Sequence, residues 1–214
     1  GVVEGKEYPF PINRDTLNQL YSLDLTEQQA SEYFEKVREP CDSIKTSEDV
    51  VLNSVGRDLY EKFFLNYTKK QWGRDPKDLP SFIIKRLPLR FTFDNNYFND
   101  KYQGIPIGGY TKLFENLLKN IEVELNVDFF LNKEQYMDIA DKIIYTGAID
   151  EFYSYEFGKL EYRSLKFVEE TLNINNFQGN AVINYTDDSE EYTRIIEHKH
   201  FEFGQQPDTV ISRE

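Results

Sequence analysis

Apolar residues recur first at helical spacing and then at strand spacing along this 214-residue chain. Asn13 or Asp15 can cap a helix that puts Leu17, Leu20 and Tyr21 on one face. Thr26 and Gln29 form a capping box, and Ala30, Tyr33, Phe34 and Val37 then follow the i, i+3, i+4, i+7 pattern of an amphipathic helix until Pro40. A third helical stretch runs from Ser47 to about Asn66, bent near Gly56, with Leu52, Val55, Leu59 and Phe63 along one side. Ahead of these, residues 3–13 read as a short hairpin whose Pro9 and Pro11 confine the second arm to a sheet edge. Pro76, Pro80, Pro88 and Pro106 mark a mostly irregular connection, in which only Phe82 to Arg86 can make a helical turn.

The period shortens to two near Phe91. Residues 90–98 (RFTFDNNYF) read as a strand, and Gly108-Gly109 opens a helix with Leu113, Phe114, Leu117 and Leu118 inward. Val123, Leu125, Val127 and Phe129 alternate with polar residues as a half-buried strand does. Lys142 to Gly147 reads as a buried strand, and Leu160–Thr171, Asn180–Thr186, Tyr192–Phe203 and Thr209–Ser212 are further strand candidates. The expected fold class is therefore α+β, a helical unit with a mainly antiparallel sheet. Its expected parts are the hairpin at 1–13 joining the sheet, a helical domain at 14–90, and the sheet region at 91–214.

Composition narrows the class. The formal net charge is −13, which disfavours nucleic acid, because a broad basic face supplies most of that affinity. It disfavours anionic membrane surfaces as well, and no apolar run approaches the roughly 20 residues of a membrane span. One cysteine, Cys41, excludes an internal disulfide and fits a reducing, cytoplasmic compartment. The chain opens Gly-Val-Val, without an initiator Met or a signal peptide, so it is expected to be an excised fragment.

Against that acidity, residues 69–90 hold seven basic residues and two acidic ones. Trp72, the one tryptophan, lies there, with Phe63, Phe64 and Tyr67 before it and Tyr97 after it. Arginine forks match phosphate oxygens and aromatic faces stack on bases or sugars, so the island suits a ligand carrying both. An aromatic core strip beside a solvated basic loop would show the same composition. No Ser/His/Asp or Cys/His nucleophile system assembles. His198 and His200 fall on one side of the expected strand without an evident third metal ligand, so no metal is expected. The Asp187-Asp188 and Glu190-Glu191 pairs read as a solvated hairpin loop, and no G-x-G-x-x-G dinucleotide fingerprint follows any strand.

The order of motifs goes further. Tyr67-Thr-Lys-Lys-Gln-Trp72-Gly resembles the YTxKQWG signature of the UDP-galactopyranose mutase family. Leu87-Pro-Leu-Arg90-Phe with Asp94–Asp100, Tyr102–Thr111, Tyr145–Asp150, Leu160–Leu165, Phe177-Gln-Gly and Tyr192–Lys199 resemble that family's later blocks in the same order. The resemblance implies a flavoenzyme, an isomerase interconverting UDP-galactopyranose and UDP-galactofuranose for cell-surface polysaccharide synthesis. It implies reduced FAD as a nucleophile whose N5 displaces UDP and forms a flavin–sugar adduct. By motif, Phe63, Phe64, Tyr67, Thr68, Trp72, Tyr97 and Asn184 would bind substrate. Arg86 and Arg194 would be the diphosphate arginines, Arg86 in a mobile loop, and Gly147 and Arg163 would touch the cofactor. A homodimer is also compatible with the resemblance.

The chain departs from the family in three respects. The resemblance leads one to expect the family's amino-terminal Rossmann segment, which holds most FAD contacts, and its carboxy-terminal end outside these 214 residues, and Ala148 stands where proline is usual. The resemblance thus implies that the parent is the enzyme, while the fragment lacks stoichiometric FAD and turnover. Two other classes fit the same residues: a nonenzymatic module binding UDP or a UDP-sugar, and an interaction domain with an aromatic face.

Overall fold

The computed structural model describes residues 1–85 and 88–214. They form two compact units, one of residues 1–103 with 165–214 and one of residues 104–164. This division differs from the boundary near residue 90 that the change of period suggests: the strands after Leu165 group with the helices, and the intervening stretch stands by itself. The fold class is α+β with antiparallel sheets. Among the described residues no helix is long and apolar enough to cross a membrane.

The first unit opens with a hairpin of two-residue strands, β1 (Val2–Val3) and β2 (Lys6–Glu7). Pro9 and Pro11, which cannot donate to a ladder, fall outside it. Helices α1 (Arg14–Tyr21), α2 (Glu27–Val37) and α3 (Ser47–Val55) come next. Each begins at a capping box, at Asn13 with Thr16, Thr26 with Gln29, and Thr46 with Asp49. Their apolar faces meet around Leu17, Ala30, Phe34, Val51 and Val55.

Gly56 stops α3 rather than bending it. Its φ is +78°, and a β-carbon there would fall 2.2 Å from the Val37 carbonyl oxygen at the end of α2. The chain restarts as α4 (Arg57–Leu59), widens into a π-helix over Tyr60–Leu65, and continues as α5 (Asn66–Trp72), which Gly73 ends in the left-handed conformation. The connection beyond is irregular, with 3₁₀ turns at Pro76–Asp78 and Ser81–Ile83. It is tied to the start of α3, where Ser47 N–H donates to Leu79 O and the Ser47 hydroxyl to Pro80 O.

Residues 90–98 form no strand. Two main-chain bonds join them to the hairpin side, Arg90 N–H to Ile12 O and Arg14 N–H to Thr92 O. Side-chain turns then take over: the Thr92 hydroxyl accepts from Asp94 N–H, and the Asp94 carboxylate from Asn96 N–H. Such local bonds compete with a sheet ladder for the same backbone donors.

In the unit of residues 104–164 lie α6 (Gly109–Leu117), α7 (Lys133–Ile139) and α8 (Ile149–Phe152). Leu113, Phe114, Leu117 and Leu118 of the α6 region are exposed, where an inward face was expected. The expected strands at 123–129 and 142–147 are also irregular. Alternation makes a strand only beside a partner that takes its hydrogen bonds, and no described residue of this unit pairs with either stretch. Phe129, Tyr136, Tyr145 and Phe152 instead gather as an aromatic cluster.

The main sheet has the order β3-β6-β5-β4, all antiparallel, from Val168–Leu172, Val182–Asn184, Arg194–Glu197 and Thr209–Arg213 numbered β3 to β6. β3 starts later than the expected 160 because its partner β6 is five residues long, from Val168 opposite Arg213 to Leu172 opposite Thr209. β5 stops at Glu197, and His198–Phe201 close into a 3₁₀ turn. There Lys199 is buried, its ammonium donating to Asn175 O and Gln206 O at 2.6 Å each.

Glu197 is fully buried at the end of β5. Its oxygens accept from Phe177 N–H, Gln178 N–H and the Thr209 hydroxyl, and His200 Nε2 lies 3.0 Å away. Burial alone would raise its pKa, but these donors outweigh it and hold the carboxyl at about 2. A carboxyl depressed in the folded chain stabilises it above the ordinary value near 4.5, and that stabilisation is lost as pH falls toward about 2. Glu197→Gln leaves one buried donor unmatched and should cost about 1–3 kcal/mol at neutral pH. Urea midpoints of the two proteins should converge as pH is lowered through that window; a constant gap would contradict the clamp. Gly56→Ala combines left-handed strain of roughly 1–3 kcal/mol with a backbone collision, and should lower the thermal midpoint more than Gly5→Ala. Gly5 has a similar φ of +74° but open space around it.

Candidate functional site

The π-helix sets the first wall of a cavity. Widening one turn shifts the register of the turns after it, so Phe63 and Phe64 both point inward. Tyr67, Thr68, Gln71 and Trp72 then fall at i, i+1, i+4 and i+5, along one side of α5. Facing them are Val182 and Asn184 of β4 and Arg194 of β5. Asn184 and Arg194 are cross-strand partners, so the ladder fixes their spacing. Ile83 with Ile84 and Asn95 with Tyr97 complete the sides, and Phe10, Pro11 and Phe64 form the floor. The space enclosed is about 310 Å³, within the range of small-molecule sites. A second cavity of about 350 Å³, bordered by Glu7, Tyr8 and Asn180, shares Phe10, Asn95 and Val182 with the first.

Polar groups converge on this apolar floor. Tyr67 Oη donates to Asn184 Oδ1 at 3.4 Å. Arg194 Nε donates to the Glu214 carboxylate at 2.5 Å, and this pairing outweighs the partial burial that disfavours the cation, so its pKa is raised. The loop bearing Asn95 and Tyr97 is held from below: Arg90 donates to Asn96 O and Phe98 O, and Asn13 Nδ2 donates to Asn95 Oδ1 at 2.6 Å.

The structure brings together Phe64, Tyr67, Thr68, Trp72, Tyr97, Asn184 and Arg194 of the residues singled out from sequence. Phe63 is not among the lining residues; it is fully buried, stacked on Phe10 at 6.0 Å. Arg86 lies outside the described residues. Gly147 and Arg163 belong to the unit of residues 104–164, are exposed, and line neither cavity. A β-carbon at 147 would stand 2.3 Å from the Tyr145 hydroxyl, so that glycine makes room for a tyrosine of its own chain. His198 and His200 also part company: His198 Nε2 is 2.7 Å from the Ser212 hydroxyl, whereas His200 faces Glu197. Among the described residues no cluster suited to a metal ion occurs.

Four described cations of the basic run are engaged within the fold. Lys69 and Lys77 answer Asp75, Arg90 holds its loop, and Lys70 bonds to main-chain carbonyls. Sequence reasoning did not single out Phe10, Pro11, Gln71, Ile83, Ile84, Asn95 or Val182. Gln71 lies inside the YTxKQWG motif and Asn95 inside the Asp94–Asp100 block, while the others come from separate segments with no shared pattern.

The sequence profile of UDP-galactopyranose mutases matches residues 62–214, a span that contains both main walls of the cavity. The chain belongs to the UDP-galactopyranose mutase family. Its similar proteins include a dTDP-fucopyranose mutase of Escherichia coli, 42% identical over 208 residues, covering 92% of this chain and 54% of the relative. A probable UDP-galactopyranose mutase of Klebsiella pneumoniae is 42% identical over 202 residues, covering 93% and 52%. A UDP-galactopyranose mutase of Mycoplasma genitalium is 28% identical over 178 residues, covering 76% and 44%. The chain thus spans about half the length of the curated relatives it matches. Within this mutase-family chain, α5 with its YTxKQWG motif and the β4–β5 pair form the opposite sides of one cleft.

Proposed function

We propose that the parent of this chain interconverts UDP-galactopyranose and UDP-galactofuranose, and that the cavity between α5 and the β4–β5 pair takes the nucleoside diphosphate. One observation carries this reading: aromatic faces, amide and hydroxyl groups and an arginine converge on one space of nucleotide scale. Phe64, Tyr67, Thr68, Trp72, Tyr97 and Asn184 contribute planar contact and hydrogen bonding to the uridine and sugar. Arg194 neutralises charge that grows on the departing diphosphate. Because its Nε is engaged by Glu214, the fork of terminal nitrogens is the part that grips phosphate. Arg86 is the second diphosphate arginine, and Phe63 supports the floor. Reduced FAD, when bound to the parent, supplies the nucleophilic chemistry at the anomeric carbon, with Gly147 and Arg163 as contacts contributed from this chain. Turnover belongs to the whole parent, a cytoplasmic enzyme of galactofuranose supply.

The Escherichia coli relative's name supports a second substrate, dTDP-fucopyranose. It differs from UDP-galactopyranose by a base methyl, the ribose 2′-hydroxyl and the sugar 6-hydroxyl. Steady-state conversion of both nucleotide sugars by the parent enzyme separates the two, and conversion of neither would overturn the reading.

A buried charge-assisted hydrogen bond is worth about 1.5–3 kcal/mol. Arg194→Ala or Arg86→Ala in the parent should therefore weaken UDP binding or slow turnover by roughly ten- to a hundredfold. Trp72→Ala should chiefly raise KM, and Lys77→Ala, beside Asp75 on the outside, should change little. Calorimetric UDP titration measures this ranking; arginine variants indistinguishable from Lys77→Ala would remove the diphosphate assignment.

A further inference from the structure

Lys70 sits inside the helix motif, flanked by cavity residues Thr68 and Gln71, yet it does not line the cavity. Its ammonium donates to three main-chain carbonyls of the β4–β5 connection, Tyr185 O at 2.6 Å, Tyr192 O at 3.0 Å and Glu190 O at 3.2 Å. Those three acceptors match the three donors of an ammonium. We propose that Lys70 is the positioning residue of the nucleotide cavity, a charged peg that fixes the separation of its two walls. The proposal rests on the nucleotide-sugar reading above.

The covalent neighbourhood makes the coupling direct. Tyr185 is next to Asn184 in the chain, Tyr192 precedes Arg194 by two residues, and Asn184 and Arg194 pair across the ladder. Movement of the Tyr185 or Tyr192 carbonyl therefore reaches a residue of the sheet wall within two peptide units. On the helix side the same ammonium is one residue from Gln71 and two from Thr68 and Trp72. The two rings of the connection, Tyr185 and Tyr192, pack edge to face at 4.8 Å and stiffen its neck. A direct hydrogen bond between the walls, from Tyr67 Oη to Asn184 Oδ1, is 3.4 Å long and correspondingly weak.

The chemistry of the contact sets it apart from an ordinary surface lysine. Carbonyls rather than a carboxylate receive the charge; burial holds its pKa below the usual lysine value, and Asp187, Glu190 and Asp188, acting through space, counter that only in part. An ammonium is a compact point charge that converging carbonyls can surround. A guanidinium spreads its donors over a plane and cannot direct three of them from one nitrogen.

The test uses the complete mutase chain with Lys70→Met, Lys70→Ala and Lys70→Arg. Amide hydrogen exchange over residues 185–194 reads the peg without any ligand, and calorimetry reads UDP affinity. Lys70→Met should exchange faster across that stretch and bind UDP about tenfold more weakly, the scale of a lost charge-assisted contact. Methylammonium should restore affinity in Lys70→Ala by filling the carbonyl cage. Tetramethylammonium, which has no N–H, should not. If Lys70→Met does not fold, Lys70→Arg carries the same test: weaker UDP binding is expected, and wild-type affinity overturns the proposal. Unchanged exchange, unchanged affinity in Lys70→Met, or a deficit that methylammonium cannot reverse overturns it too. Wild-type chain that binds no UDP would defeat the mutase reading and this proposal together. Normal wild-type binding beside an indifferent Lys70→Met would defeat this proposal alone.

Discussion

Phe63 has no exposed surface; Phe10 lies face to face with it at 6.0 Å and Tyr8 meets its edge at 6.2 Å. Through this one ring the amino-terminal hairpin segment is welded to the π-helical turn. Phe10 also meets Phe64, tilted, at 6.0 Å. The three rings make a rigid floor from segments more than fifty residues apart in sequence. Aromatic packing of this kind removes a large apolar area from water and fixes orientation as well as distance. The walls can diverge above because their bases are held there. Thr186 adds a polar tie at the same level, its hydroxyl lying between the carbonyls of Val2 and Lys62.

Local signals were legible where the chain itself supplies the partner. The cap at Asn13 and the capping box at Thr26 need only residues three apart, and both form. The strands at 182–184, 194–197 and 209–213 also lie where alternation puts them. The alternation of Val123, Leu125 and Val127 is equally regular, yet all three are exposed and no described strand lies alongside them. A pattern of period two states which face a strand would bury, not whether a neighbour exists to complete its ladder. Within the cavity, the helix motif marked Tyr67, Thr68 and Trp72, but separating Phe63 from Phe64 requires the π-turn, which has no sequence signature here. Ile83, Asn95 and Val182 arrive from three loops and strands that only tertiary contact unites.

Charge offers a second lesson in the limits of composition. Residues 69–90 look like one cationic surface in sequence, but among the described residues Lys69, Lys70, Lys77 and Arg90 are engaged within the fold. Lys69 and Lys77 converge on Asp75, and Arg90 serves the carbonyls of Asn96 and Phe98. The described arginine that borders the cavity, Arg194, comes from a strand more than a hundred residues later. Long cationic side chains are as useful for binding carbonyls within a fold as for binding ligands outside it, and a count of charges cannot distinguish the two uses.

Val182 stands on β4, the outermost strand of the sheet, and is shared with Phe10 and Asn95 as the boundary between the cavities of about 310 and 350 Å³. Three shared side chains therefore separate the two spaces. Lengthening the valine would trade room in one chamber against the other while leaving the ladder untouched, since β4 pairs through its backbone. An edge position also has a neighbouring strand on one side only, so its side chain can change size with little repacking. Diversity in the length of accommodated ligand could thus arise in this family by drift at one exposed residue, without any alteration of the arginines and aromatics around it.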